Sequence, residues 1–284
     1  MFDYGLWAFP SNPISQSLLG QQGYSKEAET LQIQVLHERN KILGVEHLDT
    51  ILAMASLAST YGNLGKYKEA EKLEIQVLVA RNRILGVEHP HTILAMGNLA
   101  ATYCNLGRYK EAEKLEIQVL DARNKILGVE HPDTIFAMSN LASTYVLLRK
   151  YKEAEKLEIQ VLDARNRILG VEHPHTIFAM GNLARTYCYL GKYKEAEKLK
   201  IQVLDARNRL LGVEHPSTIL AMENLAATLQ SLGKYKEAEK LVIQAQEVKS
   251  RVHGTTSQYA IATMANAKHA LETSTKDFDR KGVY

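Results

Sequence analysis

The sequence predicts an all-α fold, a solenoid of stacked antiparallel helix pairs, on three observations. The first is a period: the alanine of the phrase Lys-Glu-Ala-Glu recurs as Ala28, Ala70, Ala112, Ala154, Ala196 and Ala238, each 42 residues from the last. Within 284 residues this gives nearly seven units, and an internal period outranks length as evidence of architecture. The second is spacing inside the unit. Ile93, Met96, Leu99, Ala100, Tyr103 and Leu106 recur at three- and four-residue steps, as do Ala112, Leu115, Val119, Ala122 and Ile126, so each stripe marks an amphipathic helix. The third is punctuation by proline and glycine at fixed places in the unit.

Taken from the N-terminus, residues 1–22 read as an irregular segment with partial helix. Phe2, Tyr4, Trp7, Phe9, Pro10 and Pro13 break the first stretch, and Ile14 to Gly23 keep the last turns of a helix. Residues 23–253 form the repeat array. In the unit Pro90–His131, Pro90 sits in the first turn of helix A, where its missing N–H costs nothing. Helix A runs to about Asn105, and Leu106-Gly107 closes it with a residue free to take positive φ. Helix B opens at Tyr109 and stops at Leu127-Gly128-Val129, and Val129-Glu130-His131-Pro132 begins the next unit. Neither helix can bury its stripe alone, so each must be covered by its partner and by the neighbouring unit. Residues 254–272 keep the helix A phase but carry Gln258 for Pro216 and Ala267 for Leu225, a degenerate terminal helix. The polar residues 273–284 read as a disordered tail.

Composition excludes several classes. With 45% hydrophobic and 24% charged residues the chain is globular rather than disordered. A net charge of +3 is far from the concentrated basic stripe that phosphate binding needs, so no nucleic-acid partner is expected. No run approaches 18 apolar residues, and Met1-Phe2-Asp3-Tyr4 opens nothing like a signal peptide, so the chain is expected to be cytoplasmic, with no membrane partner. Cys104 and Cys188 stand two units apart, beyond disulfide reach, and read as free thiols.

Nothing advertises catalysis or a cofactor: there is no P-loop, Rossmann glycine pattern, Gly-x-Ser-x-Gly elbow or His-Glu-x-x-His pair. The series His47, His89, His131, His173 and His215 invites a metal. One histidine per unit cannot converge on a metal at about 2 Å, so the expected role is to cap helix A or pack under the loop. The alternating lysines and glutamates of Lys-Tyr-Lys-Glu-Ala-Glu-Lys read as a solvated face. Asp121 with Lys125, Asp163 with Arg167 and Asp205 with Arg209 stand at i, i+4 in the favourable order.

The order Asn98-Leu99-Ala100, Tyr103, Gly107, Tyr109 and Ala112 resembles the tetratricopeptide repeat. The 42-residue length with Leu-Gly-x-Glu-His-Pro resembles the longer repeats of kinesin light chains, over about residues 20–272. The array is more similar still to those at the C-terminal end of fungal NOD-like receptor proteins, signalling ATPases whose repeats are thought to sense ligands. The resemblance implies a right-handed superhelix whose concave groove is lined by helix A. Two departures stand out. The aromatic usual four residues after the helix B alanine is Glu74, Glu116, Glu158, Lys200 and Val242, which implies altered packing between units. The receptor's nucleotide-binding module is absent from these residues, so an ATPase role would lie outside them.

Comparing units within the chain locates a candidate site. Residues 109–150 and 151–192 differ at seven of 42 places, and four of these, Ser139/Gly181, Ser143/Arg185, Val146/Cys188 and Leu147/Tyr189, share one face of helix A. The preceding unit adds Leu94 against Phe136 and differs at Gly97, Ala101, Cys104 and Asn105. Drift on an unused surface would also have altered Lys68, Glu71 and Lys72, yet these recur unchanged at 110, 113 and 114 and at 152, 155 and 156. A groove diversified for ligand contact therefore fits better than relaxed constraint or local packing differences, the two other readings. Asn98, Asn140, Asn182, Asn224 and Asn266 supply amides along it, as similar asparagines do for extended peptides in kinesin light chains. Phe178, Asn182, Arg185 and Tyr189 would form one row, flanked by Phe136 and Glu223. The expected function is a protein–protein interaction module that binds an extended peptide or protein segment in this groove. The alternative is a structural spacer or a scaffold that self-associates through the array ends.

Overall fold

The structure, a computed structural model, describes residues 17–253. The segments 1–16 and 254–284, including the expected terminal helix, the tail and Asn266, lie outside the described residues. Among the described residues there are eleven α-helices and no strand: α1 (Ser17–Leu43), α2 (Leu48–Asn63), α3 (Tyr67–Leu85), α4 (Pro90–Asn105), α5 (Tyr109–Leu127), α6 (Pro132–Leu147), α7 (Tyr151–Leu169), α8 (Pro174–Tyr189), α9 (Tyr193–Leu211), α10 (Pro216–Ser231) and α11 (Tyr235–His253). From α2 onward, even-numbered helices are helix A of a unit and odd-numbered ones helix B. Helix α1 continues past Gly23, where each later unit turns, so the partial helix expected before residue 23 joins the helix B that follows. Gln22 stands there in place of the leucine that ends helix A elsewhere.

The chain divides into two compact units, Met1–Ile126 and Leu127–Tyr284. In the first, α1 packs on α2, α2 on α3 and α3 on α4; in the second, each helix from α6 to α11 packs on the next. This is the consecutive packing of a tetratricopeptide-type solenoid.

Local chemistry accounts for the boundaries. Each helix A starts on a histidine whose Nδ1 accepts a backbone N–H two residues on, as His89 does from His91 at 3.2 Å and His173 from His175 at 3.1 Å. The periodic histidines are N-caps, one orphan donor satisfied per helix. Helix A ends in paired bonds, for α4 Gly107 N–H to Cys104 O at 3.0 Å and Arg108 N–H to Tyr103 O at 2.8 Å, with Gly107 at φ 74°. Arg149 occupies the same place at φ 59° and makes the same bond, to Val146 O at 3.0 Å.

The core is a series of small clusters, two of them built from a helix A, its helix B and the next helix A, and two at the end of the described array from α10 and α11. Ile51, Met54, Val77, Ala80 and Ala95 form one in the first unit, and Ile177, Met180, Val203, Ala206 and Ala221 form one in the second. Each large side chain buried this way contributes roughly 1.5–3 kcal/mol. Ala70, Ala154 and Ala196 are fully buried, which lets the helices approach closely.

Polar contacts fasten one repeat to the next. Arg81, Arg165 and Arg207 reach across to a backbone carbonyl near the start of the following helix A: His91 at 2.9 Å, His175 at 3.0 Å and Ser217 at 2.9 Å. Burial pulls the pKa of all three guanidinium groups down. A second ladder joins Lys66 to Glu29 at 2.6 Å, Arg108 to Glu71 at 2.5 Å, Lys192 to Glu155 at 2.5 Å and Lys234 to Glu197 at 2.6 Å. A third pairs Arg83 with Glu46, Lys125 with Glu88, Arg167 with Glu130 and Arg209 with Glu172.

These ladders correct two expectations. Of the three i, i+4 pairs, Asp163–Arg167 forms at 3.1 Å, whereas Lys125 and Arg209 turn to the glutamate 37 residues upstream, which lies opposite them across the repeat seam. Glu71 is not a freely exposed residue: it is half-buried and held by Arg108, so its recurrence reflects packing rather than chance. Lys68 and Lys72 are exposed, as expected.

Candidate binding face

On each helix A one stripe points into the core and the opposite one outward. On α8, Ile177, Met180, Leu183 and Ala184 are buried, while Phe178, Arg185 and Tyr189 are exposed and Asn182 is half-buried. In the first unit Leu94, Asn98, Ala101 and Asn105 of α4 are exposed and Gly97 is half-buried. In the second, Phe136 and Leu147 of α6 are exposed and Ser139, Asn140 and Ser143 are half-buried; on α10, Asn224 is exposed and Glu223 half-buried. The same position of consecutive helices exposes a large apolar side chain: Phe136 at 45%, Phe178 at 54% and Leu220 at 47%.

Several of these side chains are already engaged. Arg185 donates from Nη2 to Asn182 Oδ1 at 3.3 Å. Tyr189 stacks on Tyr151 at the start of α7, ring centroids 4.9 Å apart and 21° from parallel, so it braces the turn of the preceding repeat. Glu223 is ion-paired with Lys249 of α11, and Ser143 donates back to Ser139 O at 2.9 Å.

In each unit, beneath the outward face of helix A, lies a helix B position that periodicity did not single out as part of the site, where the repeat pattern usually has an aromatic. Glu74 and Glu158 are buried, at 9% and 5% exposure, and the Oε2 atom of each has no hydrogen-bond partner. Glu116 is buried at the same position. Burial pushes the Glu74 carboxyl up to about 7, with Glu71 adding to the rise and the Thr102 hydroxyl opposing it. Burial likewise pushes Glu158 up to about 7, against the Thr186 hydroxyl and the field of Arg185. Glu158 lines a pocket of about 10 Å³ with Ser139, Val161, Ala179 and Asn182, room for one water-sized group. One repeat on, Lys200 reverses the charge and donates to Thr228 Oγ1 at 2.5 Å, Asn224 O at 3.0 Å and Cys188 Sγ at 3.4 Å. The available signal was a charged residue on a helix face that otherwise carries Ala70, Val77 and Ala80.

Models of the tetratricopeptide repeat match residues 17–49, 57–125, 91–167, 150–209 and 176–250. The chain belongs to the tetratricopeptide repeat family. Among solved structures it is similar to the nearly identical repeats of a kinesin light chain-like protein of Podospora anserina, at 30% identity and TM-score 0.67 over 74% of this chain and 99% of that one. It shares the fold of BtubC from P. vanneervenii, at 18% identity and TM-score 0.66 over 86% and 95% of the two chains. It also shares the fold of YrrB, described as a repeat protein with an unusual peptide-binding site, at 14% identity and TM-score 0.53 over 84% and 97%. No curated protein matches. Tetratricopeptide repeats typically serve as protein–protein interaction modules and scaffolds rather than as enzymes. No helix among the described residues is long and apolar enough to cross a membrane, and neither Cys104 nor Cys188 forms a disulfide.

Proposed function

We propose that the outward face of α6, α8 and α10 binds an extended peptide or protein segment. The observation that carries this reading is the row of exposed apolar side chains, Phe136, Phe178 and Leu220, running beside the amides of Asn140, Asn182 and Asn224. Exposed apolar side chains at one position of successive helix A segments offer buried area to a ligand, and side-chain amides beside them can hold its backbone. Arg185 adds a guanidinium at the centre of the row, and Lys200 a second cation deeper in, so a segment presenting a carboxylate near a large apolar side chain is favoured. The equivalent surface of α4, with Leu94, Gly97, Asn98, Ala101 and Asn105, offers the same amide and apolar positions without the cation. The finer reading, that the array is the ligand-sensing part of a fungal NOD-like receptor type protein, rests on the sequence resemblance.

Pull-down with the intact chain and with Phe178→Ala and Arg185→Ala tests the face. A partner retained by the wild type should bind Arg185→Ala about 1–3 kcal/mol more weakly, with little change in melting temperature because Arg185 is exposed. Equal binding by both variants defeats the assignment. A spacer or self-assembling scaffold has one observation in its favour, the exposed apolar edge of Ile168, Leu169 and Val171 that recurs as Leu210 and Leu211. Concentration-dependent sedimentation abolished by substitutions on that edge would support it.

A further inference from the structure

We propose that Glu74 anchors a subsite in the first unit for the ammonium or guanidinium group of a basic ligand side chain. Glu74 is a buried carboxylate with one oxygen unmatched: its Oε2 has no hydrogen-bond partner although the residue is only 9% exposed. Such an atom gains from any donor that reaches it, and most from a charged one.

The equivalent carboxylate two repeats on shows the charge that such a group favours, although its own Oε2 is likewise without a hydrogen-bond partner. Glu158 stands two repeats later in the same position, beside Val161 and Ala179, whose equivalents Val77 and Ala95 pack together in the first unit. Beside Glu158 the chain supplies a cation of its own, Arg185, anchored on Asn182 at 3.3 Å and close enough to favour the ionised carboxylate. Around Glu74 the corresponding residues are Asn98 and Ala101, so the amide is kept and the cation is missing. Both residues are exposed, and a Cβ added at the adjacent Gly97 would meet nothing within 4 Å, so the helix surface above the buried carboxylate is uncrowded. Among the described residues, the charged side chain that acts on Glu74 is Glu71 of its own helix, which raises its pKa further. A basic group seated over Ala101 would take the place that Arg185 holds in the second unit, with the Asn98 amide oxygen as its second acceptor. This goes beyond the peptide reading of α6, α8 and α10, and it holds whether or not that face binds a segment.

The test uses the full chain with ¹³C-labelled glutamate carboxyls at pH 8, titrated with n-butylammonium chloride and, separately, with choline chloride at matched ionic strength. The expected result is a saturable shift of one carboxyl resonance with butylammonium alone, since choline has no N–H to donate, and its disappearance in Glu74→Gln. Ala101→Arg, on an exposed helix position, should weaken butylammonium binding at least about tenfold by supplying the cation internally. No saturable shift, an equal shift with choline, or a shift undiminished in Ala101→Arg would overturn the proposal.

Discussion

The seam between repeats and the outward face of helix A are built on the same 42-residue template, yet they use it in opposite ways. Along the seam the same contact recurs unit after unit: arginine to a carbonyl near the start of the next helix A, lysine or arginine to the glutamate 37 residues before it, histidine onto its own helix. On the face the positions recur but the chemistry does not: Ala101, Ser143 and Arg185, or Asn105, Leu147 and Tyr189. A solenoid is stabilised by nearest-neighbour interfaces, so a seam residue acts on its own helix and the next, whereas a face residue can change without disturbing either. The comparison predicts that substitutions divide into two groups, large in stability along the seam and large in binding on the face.

The strongest test of that division is Arg165→Ala. The guanidinium is buried and donates to His175 O at 3.0 Å, so its loss removes packing of the stem and a charge-assisted bond together. The expected cost is about 2–3 kcal/mol by urea unfolding, and a shift no larger than that of Arg185→Ala would erase the distinction between seam and face.

The buried glutamates sit where the two regions meet, and pH separates their contribution. Glu74 and Glu158 have folded values of about 7 against an ordinary 4.5, so between those values the folded protein holds more protons than the unfolded one. Their contribution is therefore complete below pH 4.5, declines as pH rises towards 7, and is lost above it. Each carboxyl accounts for at most about 3 kcal/mol of that fall. Glu74→Gln with Glu158→Gln should flatten the decline and raise stability at pH 8 by about 1–3 kcal/mol. A double variant with the wild-type pH profile would show that both carboxylates are solvated in the folded state.

The helix pairs were legible because proline, glycine and histidine mark positions that only those residues fill well, and α4 and α5 begin and end where the punctuation places them. The turn at Arg149 was legible for the same reason, since its neighbours in register are glycines. The seam ladders were not, because a separation of 37 residues is neither a helix spacing nor the repeat length; it becomes a contact only when helices of adjacent units lie side by side. Nor was the part played by the floor of the face. A glutamate four residues after a buried alanine reads as a lost aromatic, and only burial turns it into a carboxyl without a partner. Tyr189 shows the converse: a residue that looked free to meet a ligand is stacked on Tyr151.

Arg149→Gly sharpens the comparison at the level of the backbone. Arg149 keeps the turn geometry of Gly107 and Gly191 at φ 59°, which an L side chain adopts at a cost of roughly 1 kcal/mol. The residue is exposed, so glycine should raise stability by about that amount, less its own chain-entropy cost. A fall in melting temperature would mean that the arginine side chain contributes more than its backbone loses.

The smallest effect is expected two residues from the largest. Arg167 follows Arg165 on α7 but faces solvent, pairing with Glu130 and with Asp163 at 3.1 Å while more than half of each side chain remains exposed. Water and salt screen such pairs, and ordering the long side chains offsets much of the attraction, so Arg167→Ala should cost no more than about 0.5 kcal/mol and less at high salt. Measured beside Arg165→Ala, it asks whether a repeat seam is held by the number of its ion pairs or by the burial of one guanidinium. If Arg167→Ala costs as much as Arg165→Ala, the exposed ladder acts as a network whose members support one another. If it costs almost nothing, the recurrence of that ladder reflects solubility and register, and the seam rests on the buried arginine and the apolar clusters around it.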